Sequence, residues 1–240
     1  MDTNNGALNK YLVPISVVLA GLFIGGAVMW NGSHPAGTGT TDGAAMKVNI
    51  KDVKTSGLPY VGNANAPVTM AFWSDFQCPY CKAVEVGGIP QIPITPAIPE
   101  VMKNYVETGK VKIVFKDFSF LGPNSDTAAL YGRAVWELYP SQYMMWRTAM
   151  YVAQDGENTG FGDEASVQKL TKTIAGIDEA KVTAAVKANQ ATYMAAIAAD
   201  RAEATKFGVN ATPSFIVGTQ VIAGAQPYAN FQAAIDPLLK

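Results

Sequence analysis

The sequence predicts an α/β fold with an all-helical insertion, on three observations. Residues 68–73 (Val-Thr-Met-Ala-Phe-Trp) form a near-continuous apolar run of strand length, as suits a central strand covered on both faces. Cys78-Pro79-Tyr80-Cys81 follows closely and reads as the start of a helix, with proline at the first helical position, where its missing N–H costs nothing. Between residues 125 and 207 strand signals vanish, and Ala, Leu, Met, Lys and Gln recur at helical spacing. A chain of 240 residues has the length for one domain or two small ones, with ample sequence to bury a core.

Taken in order, the first ten residues are expected on the cytoplasmic side of a membrane. Residues 11–30 carry no charge, and twenty helical residues at about 1.5 Å each span about 30 Å, the hydrocarbon thickness of a bilayer. Lys10 precedes this run and no Lys or Arg follows until Lys47, so the positive-inside bias places everything after Trp30 outside the cytoplasm. Two readings stand for the run. One is an uncleaved transmembrane anchor with Tyr11 and Trp30 as interfacial aromatics; the other is a signal peptide cleaved at Gly25-Gly26-Ala27. Cleavage would leave Val28, Met29 and Trp30 as a greasy new terminus, which favours the anchor. Residues 31–46, rich in Gly, Thr, Ser and Ala, have the composition of a flexible linker. His34, the single histidine, falls there, which removes mechanisms that need a histidine base.

Residues 47–240 make up the expected folded domain. Val48 and Ile50 alternate with polar neighbours across 47–54, which predicts a first, edge-like strand. A turn cluster at 63–67 leads into the central strand, and 111–116 repeats the strand signal with Val111, Ile113 and Phe115 on one face. Gly87, Gly88, Pro90, Pro93, Pro96 and Pro99 predict a loop, so the helix after Cys78 should be short. The helical block breaks at Pro140, at 160–162 and near Gly176. Asp163 and Asp178 stand at N-cap positions, and Gly208 is a stop. Residues 214–217 and 220–223 flank Gly218-Thr219 as a hairpin, and a last helix starts near Tyr228 and ends near Pro237.

Composition excludes several classes of function. Eighteen Lys and Arg against nineteen Asp and Glu give a net charge of −1, so there is no electrostatic footprint for nucleic acid. The 15% charged residues fall well below the roughly 25% of an average domain, which excludes a highly charged disordered chain. Two cysteines and one histidine cannot fill a four-ligand zinc site without several carboxylates, and no cofactor is expected.

The chemistry concentrates at the cysteines. With Cys78 as N-cap, its sulfur would face the free N–H groups near Tyr80 and Cys81, and those donors plus the helix dipole favour the thiolate. Cys81, one turn on, is close enough to attack a mixed disulfide. A bond between them closes so short a loop that it adds little chain-entropy stabilisation, which argues against a structural staple. For Asp75 two readings remain open: it influences the proton of Cys81, or it is a solvated strand-end carboxylate. Of Phe72, Trp73, Phe76 and Tyr80, most are expected in the core, with the rest free to contact peptide.

The order of four segments, Ala66-Pro67-Val68-Thr69, residues 74–82 around Cys78-Pro79-Tyr80-Cys81, Phe115-Lys116-Asp117-Phe118, and 208–215 with Thr212-Pro213, resembles the thioredoxin superfamily. Within it the chain is similar to the DsbA-like thiol-disulfide oxidoreductases exported beyond the cell membrane, from about Val61 to the C-terminus. The resemblance implies that Cys78 is the exposed nucleophile and Cys81 the buried resolving thiol. It further implies that Thr212-Pro213 is a cis bond facing the disulfide, able to pair with an extended substrate segment. The block at about 123–207 would be the DsbA-like helical insertion. Two departures stand out: Pro79-Tyr80 replaces the Pro-His of well-known strong oxidases, and residues 87–99 interrupt what is usually one helix. The function implied is a membrane-tethered protein disulfide oxidoreductase, first an oxidase of reduced or misoxidised exported proteins. A quinone-linked membrane partner of DsbB or VKOR type would re-oxidise it. The alternatives are a reductase or isomerase of the same fold, residues 47–60 being short for an isomerase's dimerisation domain, and a tethered peptide-binding or chaperone module without redox turnover.

Overall fold

In the computed structural model, which describes residues 48–240, one mixed sheet is built from β1 (Tyr60–Val61), β2 (Val68–Ser74), β3 (Val111–Asp117), β4 (Ser214–Val217) and β5 (Gln220–Ala223). The strand order is β1-β3-β2-β4-β5, with β2 parallel to β3 and antiparallel to β4. β2 is therefore central, and its alternate residues serve two cores. Met70 and Phe72 pack with Phe115, Phe215 and Phe231 on one face, while Ala71 and Trp73 pack with Phe118, Ala204, Phe207 and Ile216 on the other. This two-sided burial is why the strand reads as a continuous apolar run.

The helices are α1 (Pro79–Glu85), α2 (Ala97–Val101, continued by one π turn, Met102–Val106), α3 (Pro123–Leu138), α4 (Tyr143–Ala153), α5 (Glu164–Thr173), α6 (Glu179–Lys206) and α7 (Tyr228–Ile235). Helices α3 to α6 all fall between β3 and β4. Asp163 and Asp178 cap α5 and α6, accepting hydrogen bonds from the Ser166 and Lys181 amides at 2.8 and 3.3 Å. Buried charge binds α6 to the sheet. Lys116 of β3 reaches Asp200 at 2.8 Å and also Glu203, while Arg133 of α3 joins Asp117 and Asp200. The Trp73 indole donates to the Asp200 carbonyl at 3.1 Å. Such charges are tolerated inside only because each has a partner.

One expected element is absent. Residues 50–52, predicted within an edge strand, form a 3-10 turn, because the Asn49 side chain accepts from the Lys51 amide at 3.0 Å and curls the backbone. A single bond, from the Ile50 amide to the Gly218 carbonyl at 2.7 Å, ties this segment to the hairpin. The edge strand is instead β1, paired with β3 and too short for any alternation to register. After it the chain must hug β3: a Cβ on Gly62, at φ +98°, would lie 2.6 Å from the Val111 carbonyl. The expected anchor and linker lie outside the described residues; among the described residues, no helix is long and apolar enough to cross a membrane.

Candidate active site

β2 ends at Ser74, and the next four residues, 75–78, turn the chain from sheet into helix. Asp75 organises that turn. It is buried, and its carboxylate accepts from the Gln77 amide (2.8 Å), the Ser125 hydroxyl (2.7 Å) and the Phe120 and Leu121 amides (2.9 and 3.3 Å). Burial pushes its pKa up, opposed by these donors. The reading of Asp75 as a solvated carboxylate does not match this geometry: four donors occupy its buried oxygens, so the carboxylate joins the turn to the loop before α3, while the Asp75 backbone faces Cys81 and lowers the pKa of that thiol.

Cys78 is the N-cap of α1, with Pro79 in the first turn. The side chain makes no capping hydrogen bond, but the Tyr80 and Cys81 amides that the sequence places near the sulfur do lower its pKa. Its thiol donates instead to the Thr212 carbonyl at 3.4 Å, across the cis Thr212–Pro213 bond. Both cysteines are free thiols. Cys78 is 4% exposed and Cys81 0%, so the expected exposed nucleophile is nearly covered, with the Thr212 carbonyl against its sulfur; Tyr80, 51% exposed, is the open member of the motif. The thiols are pushed apart. The hydrogen bond from Cys81 lowers the Cys78 pKa to about 7 against the opposing effect of burial, with Thr212 and the Cys81 and Tyr80 amides contributing less. Burial first, then Cys78, pushes Cys81 well above the ordinary thiol range. A partner thiol thus does more for Cys78 than the helix terminus does.

Four further side chains escaped the sequence reading. Gln77 accepts from the Asn158 amide at 3.0 Å and donates to the Phe161 carbonyl at 3.2 Å. Gln154, just past α4, donates to the carbonyls of Phe76 and Cys78 at 2.6 and 3.2 Å. Beneath the motif, Arg147 of α4 donates to Glu85 at 2.8 Å and to the Ser74 hydroxyl at 2.8 Å, with its guanidinium 4.2 Å from the Phe115 ring centroid. Glu85 is raised by burial, and Arg147 offsets this. Two of these carried a signal. Arg147 is the single charge in α4, and Glu85 stands four residues after Cys81, on the same helix face. The two glutamines carried none, since their partners are backbone atoms distant in sequence.

Comparison with known proteins agrees with this architecture. The family model described as "Thioredoxin" matches residues 54–237. Disulfide bond formation protein D of Bacillus subtilis (strain 168) is 24% identical over 184 residues, 77% of this chain and 78% of that protein. The crystal structure of oxidised BdbD from Bacillus subtilis superposes with a TM-score of 0.67 at 23% identity, covering 78% of this chain and 95% of that one. The thiol-disulfide exchange protein alpha-DsbA2 from Wolbachia pipientis gives 0.64 at 27% identity, covering 75% and 87%. With the family model spanning the sheet, the cysteine motif and the helical insertion alike, the chain belongs to the thioredoxin superfamily, in its DsbA-like branch of protein thiol-disulfide oxidoreductases.

Proposed function

We propose that the protein is an extracytoplasmic disulfide oxidase, tethered by residues 11–30 with its N-terminus in the cytoplasm, in which Cys78 is the nucleophile and Cys81 the resolving thiol. The observation that carries the reading is the arrangement of the two thiols, Cys78 opening α1 with its sulfur against the Thr212 carbonyl and Cys81 fully buried one turn on, with Cys78 lowered and Cys81 raised in pKa as a result. A substrate thiolate attacks Cys78 of the oxidised pair, the Cys78–Cys81 bond breaks, and Cys81 leaves with the electron pair and takes up a proton. A second substrate thiolate then attacks the substrate sulfur of the mixed disulfide. The substrate disulfide forms and Cys78 leaves as a thiolate, a departure that its low pKa favours. Pro79 starts the helix, Tyr80 offers an exposed ring at the rim, and Thr212-Pro213 offers backbone to an extended segment of the exported substrate. Re-oxidation falls to a quinone-linked membrane protein of DsbB or VKOR type. The names of the Bacillus relatives, which refer to disulfide bond formation, support this direction of electron flow.

One observation favours a second reading, a reductase. Pro79-Tyr80 stands where well-known strong oxidases of this branch carry Pro-His, so no imidazole adds support to the Cys78 thiolate. Alkylation in intact cells separates the two: an oxidase rests with Cys78 and Cys81 joined and protected, whereas a reductase rests with both thiols free to label. In a Cys81→Ser variant the Cys78 thiolate can still attack a disulfide of an exported protein, displacing one of its sulfurs as a thiolate, and with no resolving thiol the mixed disulfide should accumulate, visible on non-reducing gels. Complete failure to trap any protein would leave a binding module without redox turnover.

A further inference from the structure

We propose that Gln154 is a positioning residue for Cys78: its side-chain amide holds the Phe76 and Cys78 carbonyls and thereby favours the Cys78 thiolate. The residue closes α4, with its own N–H still bonded to the Met150 carbonyl at 3.0 Å, and its side chain reaches into the turn between β2 and α1. There its Nε2 donates at 2.6 Å to the Phe76 carbonyl and at 3.2 Å to the Cys78 carbonyl. From the other side Lys82 of α1 donates to the Gln154 backbone carbonyl at 2.6 Å. Three bonds therefore join the end of α4 to the start of α1, and none involves the sulfur.

The orientation of the amide follows from its neighbours, since exchanging its nitrogen and oxygen would set lone pairs against two carbonyl oxygens. A second observation points the same way. The remaining oxygen, Oε1, is buried and has no hydrogen-bond partner among the described residues, so the side chain leaves its acceptor unmatched in order to donate twice. The Cys78 carbonyl belongs to the same residue as the reactive sulfur and accepts the Lys82 amide of α1 at 3.1 Å. In a site this poorly solvated, the negative ends of carbonyl dipoles oppose an anion unless donors face them. Gln154 supplies a donor to the Phe76 carbonyl and adds a third to the Cys78 carbonyl, which also accepts the Cys81 and Lys82 amides, and with Gln77 it makes the helical insertion part of the cysteine environment. The inference rests on Cys78 being the nucleophile and holds for either direction of electron flow.

The test is a pH titration of the thiolate absorbance in the reduced protein, compared with Gln154→Met, which keeps the length and removes the amide. The Cys78 midpoint is expected to rise, and a half-unit rise slows alkylation below the midpoint about threefold. An unchanged midpoint, whatever happens to the melting temperature, reduces Gln154 to a structural contact and overturns the proposal. Should the variant not fold, the Gln154 side-chain amide resonance of the wild-type protein is followed over the same pH range. It should move with the Cys78 midpoint, and a flat response also overturns the proposal. If Cys81 is the first thiol to ionise in the wild type, the assignment of the nucleophile fails instead.

Discussion

Cys78 and Cys81 belong to one helical turn, so their opposite behaviour comes from what surrounds each sulfur. In the reduced protein the rate of alkylation should climb with pH through a midpoint of about 7, with label on Cys78 alone while Cys81 stays protonated. Peptide mapping checks this, and earlier labelling of Cys81 would contradict it. The same shifts set a stability profile. From about pH 7 to about 8.5 the unfolded chain still holds both protons while the folded one has lost that of Cys78, so the reduced form gains stability over the oxidised. Above about 8.5 the unfolded chain gives up protons that folded Cys81 retains, and the gain reverses. Denaturant melts of both redox forms across this range should show that maximum. Asp75 carries a different demand. Asp75→Ala strands the Gln77, Phe120 and Leu121 amides and the Ser125 hydroxyl, and should lower unfolding stability by about 3 kcal/mol in urea titrations, with Asp75→Asn less damaging.

Helix α1 stops after seven residues because Gly87 and Gly88 follow at φ +73° and +78°, conformations that a helix cannot continue through. The chain then crosses to α2 by the proline-rich loop, with Pro96 against Gly87. The loop between α4 and α5 depends on a glycine in another way. Gly162 has φ +122°, and a Cβ there would collide with the Gln77 amide and lie 2.9 Å from the Asn124 Cβ. Gly162→Ala should therefore cost about 1–3 kcal/mol in backbone strain and loosen the bonds from Gln77 to Asn158 and Phe161. Faster amide exchange confined to residues 155–163, with a lower melting temperature, is the expected readout; unchanged exchange there would show that the loop does not depend on Gln77.

The helical insertion is joined to the sheet by charges that sit inside, and this shapes how the fold as a unit responds to mutation. Arg147 of α4 faces Glu85 of α1 and Ser74 of β2 under the rings of Phe72, Phe76 and Phe115. Removing one member of a buried pair leaves the other charge stranded, so Arg147→Met or Glu85→Leu alone should destabilise by about 3–5 kcal/mol. The double variant should recover most of that loss, because two apolar side chains demand no counter-charge. Calorimetry of the four proteins makes the cycle. Additive losses in the double variant would mean that the two side chains act independently.

Much of this architecture is legible in the chain because it depends on local chemistry. The two-faced apolar run of β2, the proline behind Cys78, the Asp163 and Asp178 caps and the Gly218-Thr219 hairpin are all enforced within a few residues of where they appear. So is the cysteine pair, which marks the site at once. What neighbouring residues cannot specify is the company a side chain keeps after collapse. The two-residue β1, the covered sulfur of Cys78 and the engaged carboxylate of Asp75 all depend on partners far along the chain. Arg147 with Glu85, and Gln154 with the Cys78 carbonyl, are pairings across 62 and 76 residues. Hydrophobic periodicity records which face of an element is buried but not what it is buried against, and hydrogen bonds to backbone atoms leave no trace in the identity of the acceptor residue.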